Sequence, residues 1–340
     1  MRDTCEWAIH GTKTFRLGSR KINKIYGGNL QNIEKSMREV YIPDEDKTLV
    51  QTDQSGAEAL IVAYLCEAAA YRQLFIHGVK PHVYVALHLF RDIWKRKARE
   101  HSLSSELSID ALCAAPIQAL KSFPGWRDLD GLIKDSDNWS MSERYYYLAK
   151  QTCHSANYGI EANAFRMNIL TKSGGKINIS QDEASRFLQV YRGLFPEIPD
   201  WNRRVTKQVK ENRMLFNLHG HPYTITGHEI TDTQMKEHIA WIPQSTVGMI
   251  TNIAYANMAE FIYNNKLDWD LLTNCHDSYL LQCPINETLE CAKKCKEFME
   301  QEFESPFDGV RFRMKSETQV GFNWAPAKEK NPMGLKEIKI

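Results

Sequence analysis

The stretch LLTNCHDSYLLQCP, residues 271–284, decides the fold, because it sets a histidine and an aspartate between two short apolar runs. Each flank is rich in Leu and Tyr, and the second ends at Pro284, a pattern that reads as strand, tight turn, strand. His276 and Asp277 then stand at a hairpin tip. Taken alone, Asp277 also fits an ordinary turn role, since Asp tolerates turn geometry and bonds nearby backbone N–H groups. A second aspartate gives the pair more meaning: Asp53 closes another apolar strand, TLVQTD at 48–53. If the two strands pair in one sheet, the acids converge. Two aspartates on rigid backbone can bind a pair of Mg²⁺ ions about 4 Å apart, the arrangement that drives in-line attack on phosphorus.

Composition sets the frame around these residues. A chain of 340 residues forms a large core and divides into two or so subdomains. Apolar residues make up 43% and charged residues 25%, ordinary for a soluble globular chain. No run of about 18 apolar residues is present to span a bilayer. The start, MRDTCEWAIHG, carries Asp3 and Glu6 and lacks the apolar stretch of a secretion signal, so no membrane partner is expected and the expected location is the cytoplasm. The eight cysteines form no CxxC pair and are expected as free thiols; Cys291 and Cys295 alone make a poor zinc site. The net charge of +1 names no partner. The basic runs KRKAR (95–99) and WNRRVTKQVKENR (201–213) could face phosphates, and equally fit solvated helix faces.

Element order gives the architecture. After the 48–53 strand, SGAEALIVAYLCEAAAYRQLF (55–75) reads as one long helix opened by a capping box of Ser55 and Glu58. Residues 83–99 continue helical, and a looser stretch follows to about 140, with FPGW and DSDNWS. Helices are expected over 142–171, 181–194 and 198–213, a turn at HGHP (219–222), then a helix over 232–264. The 271–284 hairpin, a helix over 286–303 and a strand over 310–321 complete the chain. Strands cluster at the two ends and helices fill the middle, which predicts an α+β body with an inserted, mainly helical subdomain. Within RYYYLAKQTCHSANYGIEANAF (144–165), Lys150, His154 and Tyr158 fall on one helical stripe. Such a stripe could hold a nucleotide, the ammonium on phosphates and the rings against a base; aromatic packing with Lys at the rim fits the same spacing.

These residues together carry a family resemblance. TFRLGSRKINKIYGGNLQNI (14–33) resembles the TGRLSS…NLQNI element of family A DNA polymerases, the polymerase-I-like enzymes of bacteria and phages. DQSGAE (53–58) is similar to their motif A, KQTCHSANYG (150–159) to motif B, HDS (276–278) to motif C, PQS (243–245) to a primer-template helix, and VGFNWAPAKE (320–329) to the family's C-terminal segment. The resemblance runs in order from about residue 11 to 329, in a phage-like form.

The resemblance implies template-directed DNA synthesis from dNTPs on primer-template DNA, with two Mg²⁺ ions, replaceable by Mn²⁺. Asp53 and Asp277 would be the metal ligands, and Lys150 the catalytic clamp on the triphosphate. His154, Tyr158, Glu58 and Arg144 would also line the nucleotide site, Glu58 as steric gate against a 2′-hydroxyl. Arg16, Asn29, Gln31, Asn32, Gln244 and His276 would hold the primer-template, with Arg16 and Gln244 reading the minor groove. The implied division is palm at 1–62, with a thumb junction at its start, helical fingers at 63–231 with an extra element at about 96–140, and palm again at 232–340, an antiparallel sheet carrying the two aspartates. Thumb and exonuclease domains are expected to be absent and supplied by a separate polypeptide or upstream segment. The chain departs from the family at Tyr146, where motif B has Arg, at His154 for Phe or Tyr, at Ser278 for Glu and at Ala240 for Asn. A single-subunit RNA polymerase shares an Asp, a Lys/Tyr helix and HDS, but Glu58 and the LQNI element favour deoxynucleotides. A non-catalytic primer-template-binding remnant is disfavoured by retention of both aspartates and Lys150.

Overall fold

A computed structural model of the chain describes residues 3–9, 11–23, 27–103, 106–227 and 229–340. The quoted stretch folds as expected, into strands Asp270–Cys275 and Ser278–Pro284 joined by a two-residue tip. Strand Lys47–Gln54 lies antiparallel to Ser278–Pro284 on one side and to Ser316–Gly321 on the other. The short strand Lys336–Glu337 adds to the outer edge and completes a five-stranded sheet. Cross-strand register puts Glu317 opposite Asp53, and Asp53 opposite Ser278, in one row at the end of the sheet.

Period-two alternation decides which face each residue takes. Val50, Tyr279, Leu281 and Cys283 turn to the main core with helix Thr288–Met299 and the long helix Asp232–Asn265. Leu49 and Leu280 turn the other way, onto a small cluster with Trp324 and Leu335, and Trp324 Nε1–H donates to Gln51 Oε1 at 2.7 Å. Asp53 has the parity of Leu49 and Gln51, so it emerges on the face away from the two helices. Gln54 takes the other face and fixes the strand end, donating from Nε2 to Thr251 Oγ1 (2.6 Å) and the Val247 carbonyl (3.2 Å) of the long helix.

The helical middle corrects several expectations. The 55–75 stretch is two helices, Ala57–Leu65 and Ala70–Ile76. The capping box is not formed: Gly56, in the left-handed region (φ 60°), is the N-cap, Ser55 Oγ–H donates to Glu317 Oε1 (2.9 Å), and Glu58 turns into the cleft. The stretch from 100 to 140 is not loose. It forms helices Ile109–Ala114 and Trp126–Asp135 with 3₁₀ turns, and Leu112, Leu120, Leu129 and Ile133 are fully buried in the main core. Residues 142–171 split into Tyr145–Ala156 and Ala162–Lys172 about Gly159, whose φ is 72°. The expected strand over 310–321 is likewise two, Arg311–Arg313 pairing with Glu302–Glu304 and Ser316–Gly321 in the main sheet. Both basic runs lie on helices with acidic neighbours: Lys95 pairs with Asp110, Lys97 with Glu143 and Arg203 with Asp200. Among the described residues no helix is long and apolar enough to cross a membrane.

One close approach ties the N-terminal segment to this frame. Residues 13–16 lie along the long helix: Trp241 Nε1–H donates to the Lys13 carbonyl (2.8 Å) and Asn252 Nδ2–H to the Phe15 carbonyl (2.7 Å). Between them a Cβ at Gly248 would sit 2.5 Å from the Thr14 carbonyl oxygen, so only glycine fits. Gly193, in helix Gln181–Leu194, has open space around the same position. Gly193→Ala should therefore stabilise by about 0.5–1 kcal/mol through helix propensity, whereas at Gly248 the clash outweighs that gain and Ala should destabilise by about 1–3 kcal/mol. Urea denaturation of both variants checks this; the same sign for both would contradict the packing described.

Candidate active site

The sheet end and the hairpin tip build the site's floor. Gln54 N–H donates to the Asp277 carbonyl and Ser55 N–H to the Lys315 carbonyl, each at 2.9 Å, which extends the pairing past the last strand residues. At the tip, Asp277 N–H donates to the Cys275 carbonyl (2.8 Å) around His276, whose φ is +62°. That is the rarer, positive-φ form of γ-turn, a strained conformation for a residue with a Cβ. It turns the exposed His276 outward and leaves Asp277 beside the row Glu317, Asp53, Ser278.

Electrostatics at this floor are unfavourable in the bare protein. Glu317 and Asp53 are like charges directly opposite on neighbouring strands, a destabilising cross-strand pair. Burial, then repulsion from Asp277 and Glu317, pushes the Asp53 carboxyl up to about 7, against hydrogen bonding by Ser278 and the more distant Lys35. Burial also raises the Asp277 carboxyl, with Arg16 and His276 pulling it back. Carboxylates crowded in a poorly hydrated place are the donor chemistry hard divalent cations require, and Mg²⁺ is commonly held by one or two carboxylates with substrate phosphates completing its shell. The pair fits such ions on that basis. Among the described residues no group of three or more His, Cys, Asp or Glu side chains is placed to hold a metal ion.

A second group stands over the floor. Glu58 Oε1 accepts from Arg16 Nη2–H (2.7 Å) and Oε2 from the Tyr158 hydroxyl (2.8 Å). Tyr158 is buried, and burial followed by the Glu58 charge raises its phenol well above the usual range, so it stays a donor. Tyr158 lies just beyond the helix Tyr145–Ala156 rather than on it. Its N–H donates to the Ser155 carbonyl (3.3 Å), a tightened final turn that still keeps its ring 5.9 Å from that of His154. Lys150 is exposed on the same helix, with no carboxylate paired to it among the described residues. His82 was not singled out in the sequence. It packs edge-on against Tyr146 and is held down to about 4 by burial and then by the charges of Lys150, Lys80 and His154. Arg144 points elsewhere, donating from Nε to the Asp137 carbonyl (2.8 Å) and from Nη2 to its carboxylate (3.1 Å).

The remaining candidates spread along the N-terminal segment and the long helix. Gln31 is buried, its Oε1 accepting from Ser19 N–H (3.1 Å) and its Nε2 donating to the carbonyls of Leu17 (2.8 Å) and Asn274 (3.1 Å). It braces the hairpin from within. Asn29 and Asn32 are exposed, Asn29 capping the 3₁₀ turn Leu30–Asn32. Gln244 lines a groove of about 420 Å³ with Lys13, Thr14, Tyr223, Lys236 and Trp241. Glu317 escaped the sequence reading, because its place beside Asp53 depends on pairing between strands far apart in the chain.

Comparisons with known proteins bear on the family and the fold. The profile of DNA polymerase family A matches residues 133–326, more than half of the chain, and the chain belongs to that family. It is 23% identical over 325 residues to DNA polymerase I B, chloroplastic/mitochondrial, of Arabidopsis thaliana, covering 93% of this chain and 28% of that protein. It is 27% identical over 163 residues to the DNA polymerase of Bacillus phage SP01, covering 45% of this chain and 17% of that one. DNA polymerase I of Caldicellulosiruptor bescii is 21% identical over 329 residues, 94% of this chain and 31% of that protein. The chain thus spans less than a third of the length of these relatives. The fold is similar to the POL domain of Pol1 from M. smegmatis, solved with DNA primer-template and dNTP, at a TM-score of 0.64 and 18% identity over 95% of this chain and 48% of that one.

The raised Asp53 pKa has a stability consequence whose sign is fixed. Between about 4 and 7 the folded chain holds a proton the unfolded chain releases, so this contribution is present at low pH and is lost as pH rises through 7. Buried histidines such as His82 and His88, held down to about 4, act in the opposite sense over the lower part of that range. The aspartate is therefore read as a difference between variants. In EDTA, Asp53→Asn should raise Tm by about 2–6 °C at pH 8 and change it little at pH 5. An equal change at both pH values would contradict the raised pKa.

Proposed function

We propose that the chain is the polymerising part of a family A DNA polymerase, transferring nucleotidyl groups from dNTPs to a primer 3′-hydroxyl under direction of a template strand. The observation that carries the reading is the strand register that sets Asp53 opposite Ser278 and beside Asp277, a carboxylate pair at the end of an antiparallel sheet. In this reading the sheet with its two helices is the palm, and the helices between Ala57 and Asn212 include the fingers. Two divalent ions, Mg²⁺ with Mn²⁺ as substitute, would when bound supply activation of the 3′-hydroxyl and stabilisation of the departing pyrophosphate.

The chain's own residues bind and orient. Asp53 and Asp277 hold the ions from a backbone fixed by the sheet. Lys150 takes phosphate oxygens as a point charge, with His154 and Tyr158 offering ring faces to the incoming nucleotide. Glu58 stands where a ribose 2′-hydroxyl would lie. Arg16 and Gln244 meet the minor groove of the primer-template, and His276, held outward by its strained turn, meets the primer end. Gln31 serves this machinery from inside, by bracing the hairpin strand. Arg144 is occupied by Asp137, so the arginine missing at position 146 is not replaced from there.

Primer extension by the purified chain tests the reading. dNTPs should be incorporated in preference to NTPs, and Asp53→Asn and Asp277→Asn should each lower the rate by about three orders of magnitude, roughly 4 kcal/mol of transition-state stabilisation. Primer-template binding, followed by fluorescence anisotropy, should change little. Extension by either variant within tenfold of wild type would remove that aspartate from the mechanism.

A further inference from the structure

We infer that Arg16 is the positioning residue of the sugar gate, joining Glu58 to the primer end so that rejection of ribonucleotides depends on a correctly seated primer terminus. The inference rests on the polymerase reading above. Its first support is the way Glu58 is held. A glutamate is free to rotate about its last bond, and a free carboxylate could turn an oxygen toward a 2′-hydroxyl and accept a hydrogen bond from it. Here each oxygen accepts one hydrogen bond, one from Arg16 and one from Tyr158, so the carboxylate is held in one rotation and stands as a fixed wall. Arg16 and Glu58 are 24% and 18% exposed, which shields the ion pair from most of the solvent.

The second support is how firmly Arg16 is placed. Its neighbours are fixed on the long helix by Trp241, Asn252 and the Gly248 contact, Phe15 takes a φ of +61°, and Thr12 Oγ–H donates to the Arg16 carbonyl at 3.0 Å. A loop pinned in this way fixes the root of the side chain, and the bond to Glu58 orients its guanidinium. The third support is an unfilled bond. Arg16 Nε is buried and has no hydrogen-bond partner among the described residues. Nε–H lies on the same edge of the guanidinium plane as Nη2, so an acceptor that reaches Nε lies alongside Glu58. Nε is covered in the DNA-free protein, so the partly exposed guanidinium shifts when it meets such an acceptor; the minor-groove edge of a terminal base pair presents them, purine N3 and pyrimidine O2, at nearly the same place for every correct pair. A mispair moves them. Arg16 would then follow the displaced acceptor or lose it, and in either case its hold on Glu58 loosens.

The test is the NTP/dNTP ratio of kcat/KM, measured by single-nucleotide incorporation on primers with matched and mismatched termini. Loss of fold or of primer-template affinity lowers both substrates together and leaves this ratio unmoved. Arg16→Lys keeps the charge but not the two-pronged edge, and it should raise the ratio on a matched primer by about tenfold or more. Tyr158→Phe, which frees the other oxygen, should raise it in the same direction. In the double variant Arg16→Lys/Glu58→Ala the ratio should be no higher than in Glu58→Ala alone, since both changes remove one device. Wild type should lose discrimination at a mismatched terminus, and Arg16→Lys should be indifferent to the terminus. An unchanged ratio in Arg16→Lys alongside reduced dNTP incorporation would overturn the inference and leave the polymerase reading standing. Failure of the wild-type chain to incorporate any dNTP would overturn that reading and the inference with it.

Discussion

The backbone pairing between Lys47–Gln54 and Ser278–Pro284 holds Asp53 beside Asp277 against their mutual repulsion, and the rest of the site depends on it. A one-residue slip would turn Asp53 to the helix-covered face and put Gln54 in its place. Two features oppose the slip. Gln54 is anchored on Thr251 and Val247 of the long helix, and the alternation of Val50 against Leu49 places apolar side chains in separate clusters on the two faces. Burial first, and then the repulsion that remains, raises the Asp53 carboxyl, and in the proposed reading divalent ions would neutralise the pair at higher pH.

The ion pair of Arg16 with Glu58 forms a second tier, and it depends on the long helix Asp232–Asn265 as the sheet does. That helix receives the 13–16 loop at Trp241, Gly248 and Asn252, receives Gln54 at Val247 and Thr251, and carries Gln244 on its exposed side. One rigid element thus sets the positions of the carboxylate floor, the Arg16–Glu58 pair and the groove lined by Gln244. Changes in its packing reach all three without touching a substrate.

How far the sequence revealed this depends on whether the deciding contacts are local. The 271–284 hairpin was legible because alternation and a two-residue turn are short-range features, and the helix expected over 181–194 forms as Gln181–Leu194, opened by a capping box of Ser180 and Glu183. The same S-x-x-E pattern at Ser55 and Glu58 misled, since Glu317 draws off the serine while Arg16 and Tyr158 draw off the glutamate. The 100–140 stretch read as loose because Gly and Pro break it locally, yet Leu112, Leu129 and Ile133 complete a core made by other segments. Asp53, Asp277, Lys150 and Tyr158 were singled out through motif order. Glu317, His82 and the internal role of Gln31 were not, because each is defined by a partner distant in sequence.

The claim that sheet register creates a two-cation site is tested most directly by Mn²⁺ titration followed by electron paramagnetic resonance, with primer-template and a dNTP whose α,β bridge resists cleavage. The account predicts about two ions per chain, close enough to couple magnetically. It predicts loss of that coupled signal in both Asp53→Asn and Asp277→Asn, with primer-template still bound. A coupled pair that persists in either variant would mean that the ions are held elsewhere and that the carboxylate pair is not the centre of the site.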